Sequence, residues 1–160
     1  MSANPASKLP PASVSPPWPG ERLRPVTAGS LTVLPRNCTG CRTCELACSF
    51  VHGSAGGLGR SRIRVHPVGP ERYVQITCMQ CISAACLKVC PTKAIGRNEQ
   101  TRAVVVDAAR CVGCGLCEAA CPFGHMHFDR QARLPLKCDL CGGSPACARF
   151  CPARALEIRP

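Results

Sequence analysis

The sequence predicts a small α+β fold, made of short β-hairpins and helices of one or two turns, with an extended arm at its N-terminus. Three observations carry this. Sixteen of the 160 residues are cysteine and only 4% are aromatic, so large apolar side chains alone do not organise the interior. Between the cysteines the chain holds only short runs of alternating or β-branched residues. The first 29 residues contain seven prolines (Pro5, Pro10, Pro11, Pro16, Pro17, Pro19 and Pro25), a composition that favours extended, polyproline-like backbone over a packed core.

The elements follow in chain order. "SLTVLP" (30–35) reads as a single strand. "SRIRVHPV" (61–68) and "YVQIT" (73–77) alternate and form a hairpin pattern. In "AIGRNEQTRAVVVD" (94–107), a polar turn at 98–101 separates a short apolar start from the β-branched run Val104 to Val106, a second hairpin. "ALEIRP" (155–160) reads as a closing strand. Helices are expected in stretches such as "CELACSF" and "CEAAC".

The cysteines fall into four groups of four with none left over: Cys38, Cys41, Cys44, Cys48; Cys78, Cys81, Cys86, Cys90; Cys111, Cys114, Cys117, Cys121; and Cys138, Cys141, Cys147, Cys151. Such repetition is the first thing to explain. Pro91, Pro122 and Pro152 each follow a final cysteine, whereas the first group ends in "CSFVHG". Group three, "CVGCGLCEAACP", matches C-x2-C-x2-C-x3-C-P, the run that binds [4Fe–4S] clusters and whose fourth cysteine ligates the other cluster in two-cluster proteins. Groups two and four keep every ligand but widen the loop before the third cysteine ("CISAAC", "CGGSPAC"). Gly40, Gly113, Gly115, Gly142 and Gly143 crowd these loops, where close backbone approach and unusual φ are useful. On this reading Cys38, Cys41 and Cys44 serve one cluster and Cys48 another.

Two rival chemistries fit less well. A zinc protein takes two ligands from each of two CxxC pairs, and neither a third cysteine at the same step nor a fourth before proline belongs to that habit. A disulfide scaffold needs an oxidising compartment. The N-terminal stretch has no apolar signal-peptide core, and Leu23 separates Arg22 from Arg24, so no twin-arginine pair is present. No apolar run approaches the ~18 residues of a membrane span. The expected location is the cytoplasm.

With its four cysteine groups in order, the chain resembles the four-cluster ferredoxin-like electron-transfer subunits, over roughly residues 30 to 158. That family includes the iron–sulfur subunits of dimethyl sulfoxide reductase-type enzymes. Within it, "CTGCRTCELACSF", "SRIRV" and "CDLCGGSPAC" look most like the small polyferredoxin subunits of tungsten-dependent aldehyde oxidoreductases. The resemblance implies two interleaved bacterial-type 2[4Fe–4S] units: an outer unit of residues 30–50 and 136–160, and an inner unit of residues 78–135. A hairpin insertion (51–77) and the arm (1–29) complete the chain. It also implies four ligand sets. Cluster 1 takes Cys38, Cys41, Cys44 and Cys151; cluster 2 takes Cys138, Cys141, Cys147 and Cys48. Cluster 3 takes Cys78, Cys81, Cys86 and Cys121; cluster 4 takes Cys111, Cys114, Cys117 and Cys90. Larger members often carry a longer insertion in the fourth group, and its absence here suggests a minimal partner surface.

The implied function is electron relay by a subunit that is not itself an enzyme. Its implied partner is a catalytic oxidoreductase subunit, with a tungsten or molybdenum aldehyde oxidoreductase foremost; the resemblance also allows a flavin subunit. The alternative is a freestanding soluble ferredoxin serving hydrogenase, formate or carbon monoxide enzymes. Trp18, in "PPWPG", is the expected docking anchor of the arm, on a partner or on another copy. Copies stacked head to tail would form an open, wire-like filament.

The formal charge of +11 would ordinarily suggest nucleic acid. Aromatic interleaving and a recognised motif are both missing, however. Each oxidised cluster with its thiolates carries about −2, so four of them bring +11 to roughly +3. Arg42, Lys88, Arg110, Lys137 and Arg149 lie near ligands in sequence, where positive charge favours the reduced state. His52, His66, His125 and His127 are expected in surface or packing roles, and Met79 is expected to pack inside its loop. No nucleophile–base pair or phosphate loop is present.

Overall fold

The computed structural model describes residues 30–54 and 57–159. The proline-rich arm and Trp18 lie outside the described residues. Among the described residues, eight strands form four separate antiparallel pairs: β1 (Ser30–Val33) with β8 (Leu156–Arg159), β2 (Arg64–Gly69) with β3 (Arg72–Ile76), β4 (Ile95–Arg97) with β5 (Val104–Val106), and β6 (His127–Asp129) with β7 (Leu134–Leu136). The α-helices among the described residues lie between these strands: α1 (Thr43–Val51), α2 (Ala85–Lys88), α3 (Leu116–Ala119) and α4 (Ala146–Arg149). This is a small mixed fold of the ferredoxin-like α+β kind.

β1 and β8 join the two ends of the described chain, with Leu31 opposite Ile158 and Val33 opposite Leu156. Leu34 N–H extends the ladder to the Ala155 carbonyl at 2.8 Å. Just inside this hairpin α1 packs on α4, while α2 packs on α3 further in. The β4–β5 hairpin turns on Asn98, whose Oδ1 accepts from the N–H groups of Gln100 and Thr101 and from the Thr101 hydroxyl. That side chain replaces backbone partners the turn cannot offer.

Two features differ from the expectation. The β6–β7 hairpin has no counterpart in the sequence pattern, because its strands are three residues each and "LPL" carries a proline. Pro135 costs one ladder donor, which a two-stranded edge tolerates. Helix α1 runs nine residues, longer than its counterparts. In the other three groups proline follows the fourth cysteine, which disfavours helical φ/ψ at that cysteine and stops the helix short of it. Ser49 lifts that restriction, so α1 continues to Val51.

The apolar interior is divided. One cluster gathers Cys44, Cys48, Ile63, Val65, Cys147 and Leu156; the other gathers Ala84, Ile95, Val104, Cys117 and Met126. Each is small and each is built around cysteines. Leu156, 2% exposed, closes the first. Leu156→Ala is expected to cost ~2–5 kcal/mol, read from the denaturant midpoint of the anaerobic holoprotein. Ile82→Ala, at a side chain 98% exposed, is expected to stay within about 0.5 kcal/mol of the parent.

Candidate iron–sulfur centre

All four cysteine groups fold by the same local rules. The third cysteine of each sits at the second residue of a helix (Cys44, Cys86, Cys117, Cys147). Where the loop before it is tight, the helix starts from a left-handed residue: Arg42 at φ 58° and Gly115 at φ 75°. After the fourth cysteine, the three proline-bearing groups make one turn. The N–H groups of Lys93, Gly124 and Arg154 each donate to the carbonyl of the cysteine three residues earlier, all at 3.2 Å. The same residues have φ of 52°, 62° and 49°. In two of the turns the next N–H, that of Ala94 or Ala155, donates to the cysteine Sγ at 3.2 Å.

The fold brings cysteines from different groups together. One cavity is lined by Cys38, Cys41, Cys44 and Cys151, although Cys151 lies at the far end of the chain. Another is lined by Cys111, Cys114, Cys117 and Cys90. Cys141 and Cys147 each feel the charge of Cys138 and Cys48, and Cys86 that of Cys78 and Cys121. All sixteen cysteines are free of disulfides.

Burial is the first cause that raises these thiols. It pushes Cys44 and Cys141 up to about 12, and Cys117 and Cys138 up to about 11. Cys147 is raised further, by burial and then by Cys138, Cys141 and Cys48. Converging buried thiolates repel one another and need a cationic centre to coexist. The donor chemistry therefore fits iron–sulfur clusters. Backbone N–H groups aimed at sulfur add to the fit: Arg62 to Cys48 at 3.2 Å, Gln80 to Cys78 at 3.4 Å and Leu140 to Cys138 at 3.5 Å. The exposed Cys41 is lowered instead, first by the Thr43 hydroxyl 3.4 Å away.

Gly40 illustrates how tightly a loop is held. At φ +73° its Cβ position would lie 2.6 Å from the Tyr73 ring. Gly142, at φ +68°, faces open space.

Several surrounding residues depart from the sequence reading. His52 is largely buried, with Nε2 3.5 Å from Asp139 Oδ1 and 3.9 Å from Cys141 Sγ. Burial first, then Arg62, lowers its pKa. Burial pushes the Asp139 carboxyl up, but Arg62 first, with His52 when it is protonated and the Cys141 N–H, outweighs it and holds the group below its usual range. The Arg62 guanidinium donates to that carboxylate at 2.6 Å. Nothing in the spacing of "CDLC" and "FVHG" pairs these residues, because the two segments lie far apart in sequence and meet only in the folded chain. Met79 is 57% exposed rather than packed. Of the five basic residues singled out, Arg42, Lys88, Arg110 and Arg149 are exposed and Lys137 alone is buried.

Repeated cysteine nests on a small α+β frame define a [4Fe–4S] electron carrier. The family described as "4Fe-4S dicluster domain" matches residues 71–159, and the "4Fe-4S binding domain" matches residues 35–51. The polyferredoxin-like subunit of aliphatic sulfonate oxidoreductase from Pyrococcus furiosus is 40% identical, covering 76% of this chain and 70% of its own. The thiosulfate reductase electron transfer subunit of Salmonella typhi is 35% identical, covering 77% and 71%. A subunit of the anaerobic dimethyl sulfoxide reductase of Escherichia coli K12 is also 35% identical, covering 77% and 69%. Among solved structures, the BamBC complex of benzoyl coenzyme A reductase with benzoyl-CoA shares 26% identity over 82% of this chain and 79% of that one, with a TM-score of 0.47. The chain belongs to the family of [4Fe–4S] electron-transfer subunits of oxidoreductases, and it is not a catalytic subunit. Among the described residues, no helix is long and apolar enough to cross a membrane.

Gly40→Ala is expected to bind less iron and sulfide per chain than Gly142→Ala after anaerobic reconstitution, since only the first meets a side chain as well as an unfavourable φ.

Proposed function

We propose that the chain holds four [4Fe–4S] clusters and relays electrons between a catalytic oxidoreductase subunit and a second redox partner. Bound clusters supply the one-electron chemistry; the protein supplies position and electrostatics. The ligand sets are Cys38, Cys41, Cys44 and Cys151; Cys138, Cys141, Cys147 and Cys48; Cys78, Cys81, Cys86 and Cys121; and Cys111, Cys114, Cys117 and Cys90. They make an outer unit (30–50 with 136–160) and an inner unit (78–135), interleaved, with 51–77 inserted between them.

The observation that carries this reading is the meeting of Cys151 with Cys38, Cys41 and Cys44, mirrored by Cys90 with Cys111, Cys114 and Cys117. It favours relay over storage because the first and fourth sets are the ones with an exposed cysteine, Cys41 and Cys114. Those two places are the ports for partners. Cys44 and Cys147 share one buried cluster and link the first set to the second. Packing of α2 on α3 links the third to the fourth.

The catalytic partner is of the tungsten or molybdenum aldehyde-oxidising class, a reading that rests on "CTGCRTCELACSF", "SRIRV" and "CDLCGGSPAC". The compartment is the reducing cytoplasm, in keeping with sixteen unpaired thiols. Anaerobic purification of the tagged protein from its own host, with subunit and metal analysis, tests the assignment. A large co-purifying subunit with tungsten or molybdenum supports it; a lone chain with iron and sulfide alone overturns the subunit reading.

Cys151→Ser is expected to remove about a quarter of the bound iron, one centre of four. A Cys38→Ser, Cys151→Ser double variant that loses two centres rather than the same one would break the proposed pairing.

A further inference from the structure

Lys137 is 4% exposed. A lysine this buried is rare unless its charge is paired. Among the described residues, no salt bridge joins it to a carboxylate. Its Nζ donates to Cys78 Sγ at 2.9 Å, and makes longer contacts of 3.4 Å to Gln80 Oε1 and to the Cys138 carbonyl. The counter-charge is therefore a cysteine sulfur, the first of group two. Lys137 itself immediately precedes the first cysteine of group four. Its ammonium thus stands where the second and third ligand sets face each other.

Gln80 fixes this place. Its Nε2 donates to the Cys138 carbonyl at 2.7 Å and its Oε1 accepts from Val104 N–H at 2.8 Å. Gln80 itself is left-handed, at φ 51°. One side chain thus ties the group-two loop to the start of group four and to the β4–β5 hairpin. It leaves its carbonyl oxygen towards Lys137. The charge of Lys137 also reaches Cys86, where it opposes the effect of burial.

We propose that Lys137 tunes the middle of the relay, its ammonium selectively raising the reduction potential of the centre bound through Cys78. Positive charge and an N–H donor on a ligand sulfur both stabilise the more negative, reduced form. Burial away from water makes the effect larger than that of an exposed lysine. The residue is a tuning group, not a ligand, and the inference rests on the four-cluster reading above.

The test uses the full chain, purified anaerobically, with iron and sulfide analysis followed by an EPR-monitored redox titration. Cys78→Ser first checks the underlying reading: unchanged iron content would overturn the ligand set and the Lys137 proposal with it, whereas lost iron with unmoved midpoints in the Lys137 variants would overturn the Lys137 proposal alone. Lys137→Gln and Lys137→Met are then compared with Lys137→Arg and with Lys88→Met at an exposed site. The expected result is full iron content in Lys137→Gln and one midpoint displaced to lower potential. The displacement should correspond to at least a tenfold change in the reduced-to-oxidised ratio, about 59 mV for one electron. Lys137→Arg should recover most of it, and Lys88→Met should show little shift. Unchanged midpoints, or an equal shift of every midpoint, would overturn the proposal. So would loss of iron in both neutral variants, which would make Lys137 a structural residue.

Discussion

Everything in this molecule depends on thiols from distant repeats converging at the same points. Cys151 reaches the cavity of Cys38, Cys41 and Cys44 only because β8 pairs with β1 and α4 packs on α1. Cys90 reaches Cys111, Cys114 and Cys117 in the same manner. Without such crossings each group would offer three sulfurs in one direction and a fourth in another. The apolar interior is too small and too divided to enforce this alone. On the proposed ligand sets, cluster binding and folding are coupled: sets that do not exist in an unfolded chain give their binding free energy to the fold.

The same convergence explains the electrostatics. Burial and mutual repulsion raise Cys44, Cys138, Cys141 and Cys147 together. The basic excess of the chain answers an interior that becomes anionic once clusters are bound. Most of the basic residues near ligands are exposed and act through solvent, where their effect is screened. Lys137 differs because it is enclosed beside a sulfur. Arg62 serves another purpose, since its backbone N–H donates to Cys48 while its guanidinium neutralises Asp139.

Similarity to electron-transfer subunits of sulfonate, thiosulfate and dimethyl sulfoxide enzymes agrees with a chain built around cysteine nests. Those relatives serve different catalytic chemistries with one kind of carrier. Here the exposed apolar side chains include Val112 and Leu116, on either side of the exposed Cys114. Such residues suit contact with a partner better than contact with water.

Much was legible in the sequence because iron–sulfur ligation is local and repetitive. The spacing of Cys111, Cys114, Cys117 and Cys121 announces its cofactor without any fold. Asn98 to Thr101 announces a turn because a short polar side chain substitutes for backbone partners. The proline after Cys90, Cys121 and Cys151 was visible in the sequence, but that it stops each helix, and that Ser49 lets α1 run on, emerged only from the fold. The β6–β7 hairpin was not legible, because three-residue strands carry too little alternation to stand out. Nor was the company kept by His52, Asp139 and Arg62, which come from separate segments and meet only in the folded chain. Lys137 could be picked from the sequence as one basic residue among five. That it alone is enclosed, with its ammonium on the sulfur of a cysteine 59 residues away, was decided by tertiary structure, because burial and long-range contact are properties of the packed chain and not of neighbours along it.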